Sequence, residues 1–195
     1  EKAGLIDHVG EWIADAALRQ MASWQAQGHD VPRLSINVSA EQLRRSHVPN
    51  SIRRLLDHYH LSAEQITIEL TETALMVNPD HARRILRDLK ALGVALSIDD
   101  FGTGYSSLSY LRSYPLDELK IDRSFVDEIA SNPDDRAIAQ TIIAMSRTLG
   151  LSVVAEGVET QQQFEALRTL GCQTAQGFLL GMPLSPEEIS KKFLS

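Results

Sequence analysis

Val94 to Ile98 is a short apolar run with β-branched residues at both ends, and Asp99 and Asp100 follow it directly. A strand with so little polar surface is buried on both faces, the situation of strands in parallel sheets covered by helices. Such a strand would end by carrying two carboxylates to a rim. Behind them, Phe101-Gly102-Thr103-Gly104-Tyr105 supplies two glycines for backbone conformations that bulkier residues resist, and Ser106-Ser107 offers caps for a following helical turn. Taken alone, an Asp-Asp at a strand end is better read as a helix cap beside a solvated charge.

Other segments repeat the pattern. Arg33 to Ser39 alternates like a strand with Asn37 near its end; Gln65 to Leu70 carries Glu69 at its end, with Glu72 just beyond. Leu116 to Asp122 has the mixed polarity of a further strand, Leu151 to Ala155 runs into Glu156-Gly157-Val158-Glu159, and a short strand is expected over Thr174 to Phe178. Helices fit between them. The first begins after Leu5-Ile6, with Val9, Trp12, Ile13, Ala16, Ala17 and Met21 as its apolar stripe and Gly28 at its end. Ile52 to Tyr59 is amphipathic. Asn78-Pro79 and Asn132-Pro133 each read as a cap plus first-turn proline. The first opens a helix with Ala82, Ile85, Leu86 and Leu89 inward, and the second a helix with Ile138, Ile142, Met145 and Leu149 inward. Thr160 with Gln163 and Ser185 with Glu188 have capping-box spacing. Six strands alternating with helices predict an α/β fold built on a parallel sheet, and the absence of any low-complexity linker predicts one domain over residues 1–195.

Composition narrows the function. A chain of 195 residues with 43% hydrophobic content can bury a sizeable core. Its longest apolar runs fall well short of the roughly 18 residues of a membrane-spanning helix, and no signal-like segment opens it. The single Cys172 cannot form an internal disulfide, so a cytoplasmic setting is expected. A net charge of −7 argues against duplex nucleic acid as a partner, and an anionic ligand would need metal ions or local cations. Asn37, Glu69, Asp99, Asp100, Lys120, Asp122, Glu156 and Gln176 all lie at or just after the C-terminal end of an expected strand, the functional face of an α/β barrel. Carboxylates gathered there with few bases imply a hard divalent cation, Mg²⁺ or Mn²⁺. Zinc suits the chain less: the six histidines form no Cys/His cluster, and His58 and His60 are spaced so that they cannot share a helix face.

These residues carry a family resemblance. Ser35-Ile36-Asn37-Val38-Ser39, Glu69-Leu70-Thr71-Glu72, Asp99 through Leu108, Leu119-Lys120-Ile121-Asp122, Ala155 through Glu159 and Gln176-Gly177-Phe178 together resemble the EAL domain, the bacterial phosphodiesterase domain that linearises cyclic di-GMP. A lone Asp-Asp-Phe-Gly also resembles a kinase motif, but no glycine-rich phosphate loop or kinase catalytic loop accompanies it. The resemblance departs from the family in two places. The Glu-Ala-Leu motif that the family carries on an early strand, whose Glu is a metal ligand, is on none of the strands expected here, since Glu165-Ala166-Leu167 falls within the expected helix of Phe164 and Leu170, so the family's TIM-like (β/α) barrel would lack its first two strands. Leu179-Leu180-Gly181-Met182-Pro183 also replaces the aromatic and Arg that often precede the family's proline.

The resemblance implies a two-metal hydrolase. Asn37, Glu69 and Asp99 would hold one ion with the absent Glu; Asp99, Asp100 and Glu156 would hold the second. Lys120 would orient the attacking water, Glu156 would also accept a proton, and Asp100 would stand with them in the catalytic set. Gln176, Glu159 and Asp122 would be supporting contacts, and Glu72 would anchor the loop Phe101, Gly102, Thr103, Gly104 and Tyr105. The product would be linear pGpG. Further implications are a homodimer, an upstream sensory or GGDEF-type domain, and a parent protein that is membrane-anchored in some members. Two alternatives stay open: a receptor that binds cyclic di-GMP without cleaving it, and a fragment left inactive by the missing Glu.

Overall fold

A computed structural model describes residues 2–104 and 108–194, and for residues 2–7 and 108–110 the course of the backbone alone. Its strands are β1 (Leu34–Val38), β2 (Ile66–Thr71), β3 (Ala95–Phe101), β4 (Glu118–Ile121), β5 (Ser152–Ala155) and β6 (Thr174–Ala175). They form a six-stranded sheet whose order follows the chain, and β1 with β2, β3 with β4, β4 with β5 and β5 with β6 pair in parallel. The helices are α1 (Lys2–Ala26), α2 (Ala40–Arg44), α3 (Val48–Tyr59), α4 (Glu72–Met76), α5 (Pro79–Leu92), α6 (Leu108–Ser113), α7 (Pro133–Leu149), α8 (Gln161–Leu170) and α9 (Pro186–Phe193). Parallel strands in chain order with helical crossovers are the arrangement of a (β/α) barrel, so the α/β class expected from the alternation is present.

The chain divides into two compact units, one of Glu1–Leu70, Ala74–Leu96 and Pro183–Ser195, the other of Thr71–Thr73 and Ser97–Met182. In the first, Ile66, Ile68 and Leu70 of β2 are fully buried with Leu86 and Leu89 of α5 and Leu18 and Met21 of α1. Trp24 fills the end of that core and donates from its indole Nε1 to Ser190 Oγ at 2.7 Å, so α9 is tied to α1 by a bond that a buried indole requires. In the second, Leu119 and Ile121 of β4, Ala155 of β5 and Val126, Ile129 and Ala139 lose all contact with water. The caps form as their residue types require: Asn78 accepts from His81 N, Asn132 from Asp134 N, and the boxes Thr160 with Gln163 and Ser185 with Glu188 are reciprocal.

Four expectations change. On α1 the buried residues are Ala14, Leu18, Met21 and Trp24, whereas Val9, Trp12 and Ile13 are exposed, Trp12 by 67%. That helix is apolar around more than half of its girth, and periodicity could not say which stripe would be covered. On α7 the inward set is Ala139, Ile142, Ile143 and Ser146, with Ile138 exposed. Strand β6 stops at Ala175 because Gln176 turns its carbonyl toward Val158 N at 3.0 Å. Strand β3 runs on through both aspartates to Phe101. Ser106 and Ser107, the expected caps of α6, lie outside the described residues. No helix among the described residues is long and apolar enough to cross a membrane.

Candidate active site

In a regular strand Asp99 and Asp100 would point to opposite faces of the sheet. Here they do not. The register of β3 on β4 runs Ile98 to Leu119 and then Phe101 to Ile121, so β3 holds one residue more than its partner, and Asp100 takes a left-handed backbone with φ of +55°. This is a β-bulge, which re-aims side chains, and Asp is among the few non-glycine residues that enter the left-handed region readily. Asp100 N donates to Asp99 Oδ1 at 3.1 Å, fixing the first carboxylate over the bulge.

Two neighbouring strands complete the group. Lys120, on β4, is only 5% exposed in its side chain; its Nζ lies 2.6 Å from Glu156 Oε1 and 3.4 Å from Asp99 Oδ1. Glu156 leaves the end of β5 with its own N–H donating to Ile121 O at 3.1 Å, which holds the residue against β4. Carboxylate oxygens of Asp99, Asp100 and Glu156 all lie within 4.8 Å of one another. These are hard oxygen donors from three half-buried side chains, with no thiolate or imidazole among them, and that donor set fits a hard divalent cation.

The remaining predicted residues take distinct places. Asn37 and Glu69 are register partners at the ends of β1 and β2, Asn37 exposed and Glu69 buried. Asp122 caps a short turn, accepting from Ser124 N at 2.9 Å, and it lies near enough to Asp100 to raise that acid. Glu72 is 1% exposed and accepts from Gly102 N at 2.9 Å and Gly104 N at 3.4 Å, so one carboxylate grips two amides of the glycine loop. Phe101 is buried, Thr103 donates its hydroxyl to Asp100 O at 2.9 Å, and Tyr105 lies outside the described residues. Glu159 and Gln176 line a cavity of about 250 Å³ together with Glu156, Arg123, Gly157 and Phe178. Arg123 was not singled out by sequence. It follows Asp122 directly, and nothing in its local pattern separates it from a solvated arginine.

Burial and like charges hold two of the acids above the ordinary carboxylate range. For Asp100 the main cause is loss of water, followed by the charges of Asp99 and Asp122. For Glu156 burial again comes first; the Lys120 ammonium opposes it and Asp99 adds to it. An ion needs these carboxylates deprotonated, a form they reach at higher pH than ordinary carboxylates do. Mn²⁺ affinity is therefore expected to fall as pH drops through the raised range, with net proton release on binding. Titration calorimetry at several pH values, in two buffers of different ionisation enthalpy, measures it; identical heats throughout the acidic range would contradict the raised acids. In the metal-free protein the sign for stability follows. The contribution of both acids is fully present below the ordinary carboxylate range and is lost as pH rises through their raised values.

Known proteins are similar to this chain in sequence and in fold. The bifunctional diguanylate cyclase/cyclic di-GMP phosphodiesterase MucR of Pseudomonas aeruginosa is 48% identical over 189 residues, 97% of this chain and 28% of MucR. The chain spans about a quarter of the length of the curated relatives it matches. The structure of the MucR phosphodiesterase in complex with c-di-GMP superposes with a TM-score of 0.92, covering 97% of this chain and 76% of that one. A manganese/cy-diGMP complex of BlrP1 from Klebsiella pneumoniae gives a TM-score of 0.78 at 32% identity, covering 88% and 43%. Residues 1–183 match the EAL domain, nearly the whole sequence, and the chain belongs to the EAL domain family.

Proposed function

We propose that this chain hydrolyses one phosphodiester bond of cyclic di-GMP, giving linear pGpG, with two Mg²⁺ or Mn²⁺ ions. The observation that carries the reading is the convergence of Asp99, Asp100 and Glu156 within 4.8 Å around the buried Lys120. Asp99, Asp100 and Glu156 would hold one ion, and Asn37 and Glu69 would contribute ligands to another. Such ions, when bound, lower the pKa of water and neutralise charge on a phosphoryl group. Lys120, held between two carboxylates, donates hydrogen bonds that orient the attacking water. Glu156, held by burial above the ordinary carboxylate range and so a stronger base when ionised, would accept the proton that water gives up as it attacks phosphorus, and the leaving ester oxygen would take up a proton as its P–O bond breaks. Glu72 keeps the glycine loop in one shape by holding its amides, so the aspartates preceding the loop stay aimed at the rim.

Chromatography of cyclic di-GMP incubated with the full-length protein and Mn²⁺ is expected to show conversion to pGpG that EDTA abolishes. Tight binding without product would favour the receptor reading, and neither binding nor product would sink both. The same proposal includes a cytoplasmic site of action, a homodimer and an upstream sensory or GGDEF-type domain. The dimer is what the family resemblance implies, and the bifunctional name of MucR supports the upstream domain. Sedimentation of the full-length protein tests the dimer, and its complete reading frame tests the upstream domain.

A further inference from the structure

A second polar layer lies one step earlier along the strands that carry the acidic cluster. Side chains two apart on a strand share a face, so Glu118 stands on β4 directly beneath Lys120. Ser97, Glu118 and Ser152 are register partners across β3, β4 and β5, which sets the three side by side on that face. In a (β/α) barrel such a layer is ordinarily filled by bulky branched apolar residues. Exposure falls along the row: Ser152 is exposed, Glu118 half-buried and Ser97 0% exposed. Ser152 Oγ donates to Asp117 O at 3.1 Å and lies 3.4 Å from Glu118 Oε2. A hydroxyl has one proton to give, so the Glu118 carboxylate keeps most of its accepting capacity. Ser97 Oγ, at the closed end of the row, has no hydrogen-bond partner among the described residues. A dry hydroxyl there would forfeit the bonds it makes in water, a cost that buried polar groups in folded proteins seldom bear.

We infer that Ser97 and Glu118 hold a buried water between them, and that Ser97 acts through this water as a positioning residue for Asp99 and Lys120. The water shares one hydrogen bond with the Ser97 hydroxyl and donates another to the Glu118 carboxylate, enough polar partners for an internal water. Serine fills less of the layer than a branched side chain would, which leaves the space, and the row past the exposed Ser152 is the way in. The service to the site is support from below. Lys120 Nζ lies 2.6 Å from Glu156 Oε1 but 3.4 Å from Asp99 Oδ1, so the contact between Lys120 and Asp99 is the looser of the two. With the space beneath them unfilled, both side chains gain freedom and the chemical step loses alignment. The effect on turnover rests on the proposed hydrolysis of cyclic di-GMP, whereas the water and its effect on metal binding do not.

A second buried serine supplies the control for tests on the full-length protein. Ser146 of α7 is also 0% exposed and its Oγ has no partner, but it shares its inward face with Ala139, Ile142 and Ile143. Apolar surroundings stay dry, so Ser146→Ala removes an unsatisfied hydroxyl and is expected to raise the melting temperature by about 2–4 °C with turnover unchanged. Ser97→Ala is expected to lower the melting temperature instead. It should also cut kcat about tenfold while KM for cyclic di-GMP stays within about twofold, and weaken Mn²⁺ binding, read by calorimetry, about threefold or more. Glu118→Ala removes the water's other partner and should act in the same direction, with the double variant losing less than the product of the single losses. Crystals of the full-length protein should show a water about 3 Å from both Ser97 Oγ and the Glu118 carboxylate, absent in Ser97→Ala. A Ser97→Ala protein that melts higher, as Ser146→Ala does, and keeps its Mn²⁺ affinity would overturn the inference, as would wild-type crystals with no such water. Wild-type protein that holds the water and loses Mn²⁺ affinity on Ser97→Ala, yet never cleaves cyclic di-GMP, would refute hydrolysis and leave the positioning role standing.

Discussion

Asn in place of Asp99 is expected to lower cyclic di-GMP turnover by more than about 100-fold while weakening cyclic di-GMP binding by less than about tenfold. The substitution preserves shape: an Asn Oδ1 can still accept the 3.1 Å bond from Asp100 N that fixes the side chain over the bulge. What it removes is charge. Asp99 contributes one of the three carboxylates within 4.8 Å, and its Oδ1 lies 3.4 Å from Lys120 Nζ. With that charge gone, the pocket would lose a ligand for the hard cation, and the ammonium would lose one of its carboxylate partners while keeping Glu156. Charge developing on the reacting phosphoryl group then meets a weaker field, an effect larger in the transition state than in the bound ground state. Steady-state kinetics and a binding isotherm on the same preparation separate the two. Equal losses in both would mean that Asp99 serves binding rather than the chemical step.

Gly177→Ala is expected to lower the melting temperature by roughly 5–15 °C, the consequence of about 2–4 kcal/mol lost in a chain of this size. A Cβ at Gly177 would run into the backbone N, C and O of Val158. Backbone cannot rotate away as a side chain can, so the two segments must part. Parting them weakens the 3.0 Å bonds from Val158 N to Gln176 O and from Leu179 N to Val158 O. A comparison isolates this contact. Gly150, which ends α7 with φ of +74°, has nothing within 4 Å of an added Cβ, so Gly150→Ala meets only the left-handed backbone penalty of about 1–2 kcal/mol. Thermal melts followed by circular dichroism should rank Gly177→Ala well below Gly150→Ala. Equal melting temperatures would show that the approach of Val158 to Gly177 is not tight.

The local punctuation of this fold was legible without coordinates. Asn78-Pro79, Asn132-Pro133, Thr160 with Gln163 and Ser185 with Glu188 begin helices where residue chemistry says they should, because a cap is satisfied within a few residues of itself. The strands follow for a related reason: apolar runs too short for helices, bounded by caps and glycines, leave a parallel α/β alternation as their consistent reading. That strand ends carry Asn37, Glu69, Asp99, Lys120 and Glu156 to one kind of position also follows from pattern and chain order alone.

Only the tertiary structure decided which groups meet and how. Periodicity marks the apolar faces of a helix but not which of them finds a partner, so Trp12 faces solvent while Leu18 is buried. Nothing local announces that Asp100 turns left-handed at a bulge, because the extra residue is defined against β4, a strand about twenty residues away in sequence. The bond lengths from Lys120 to Glu156 and Asp99, and the raised acids around it, depend on water excluded by neighbouring strands. Arg123 is the clearest case: its sequence neighbours make it a surface cation, and only the missing Cβ of Gly157 and the carboxylate of Glu159, both more than thirty positions away, hold it at the wall of a cavity. Short-range chemistry acts through the chain and can be read along it; burial, charge and shape act through space, and the fold alone sets those distances.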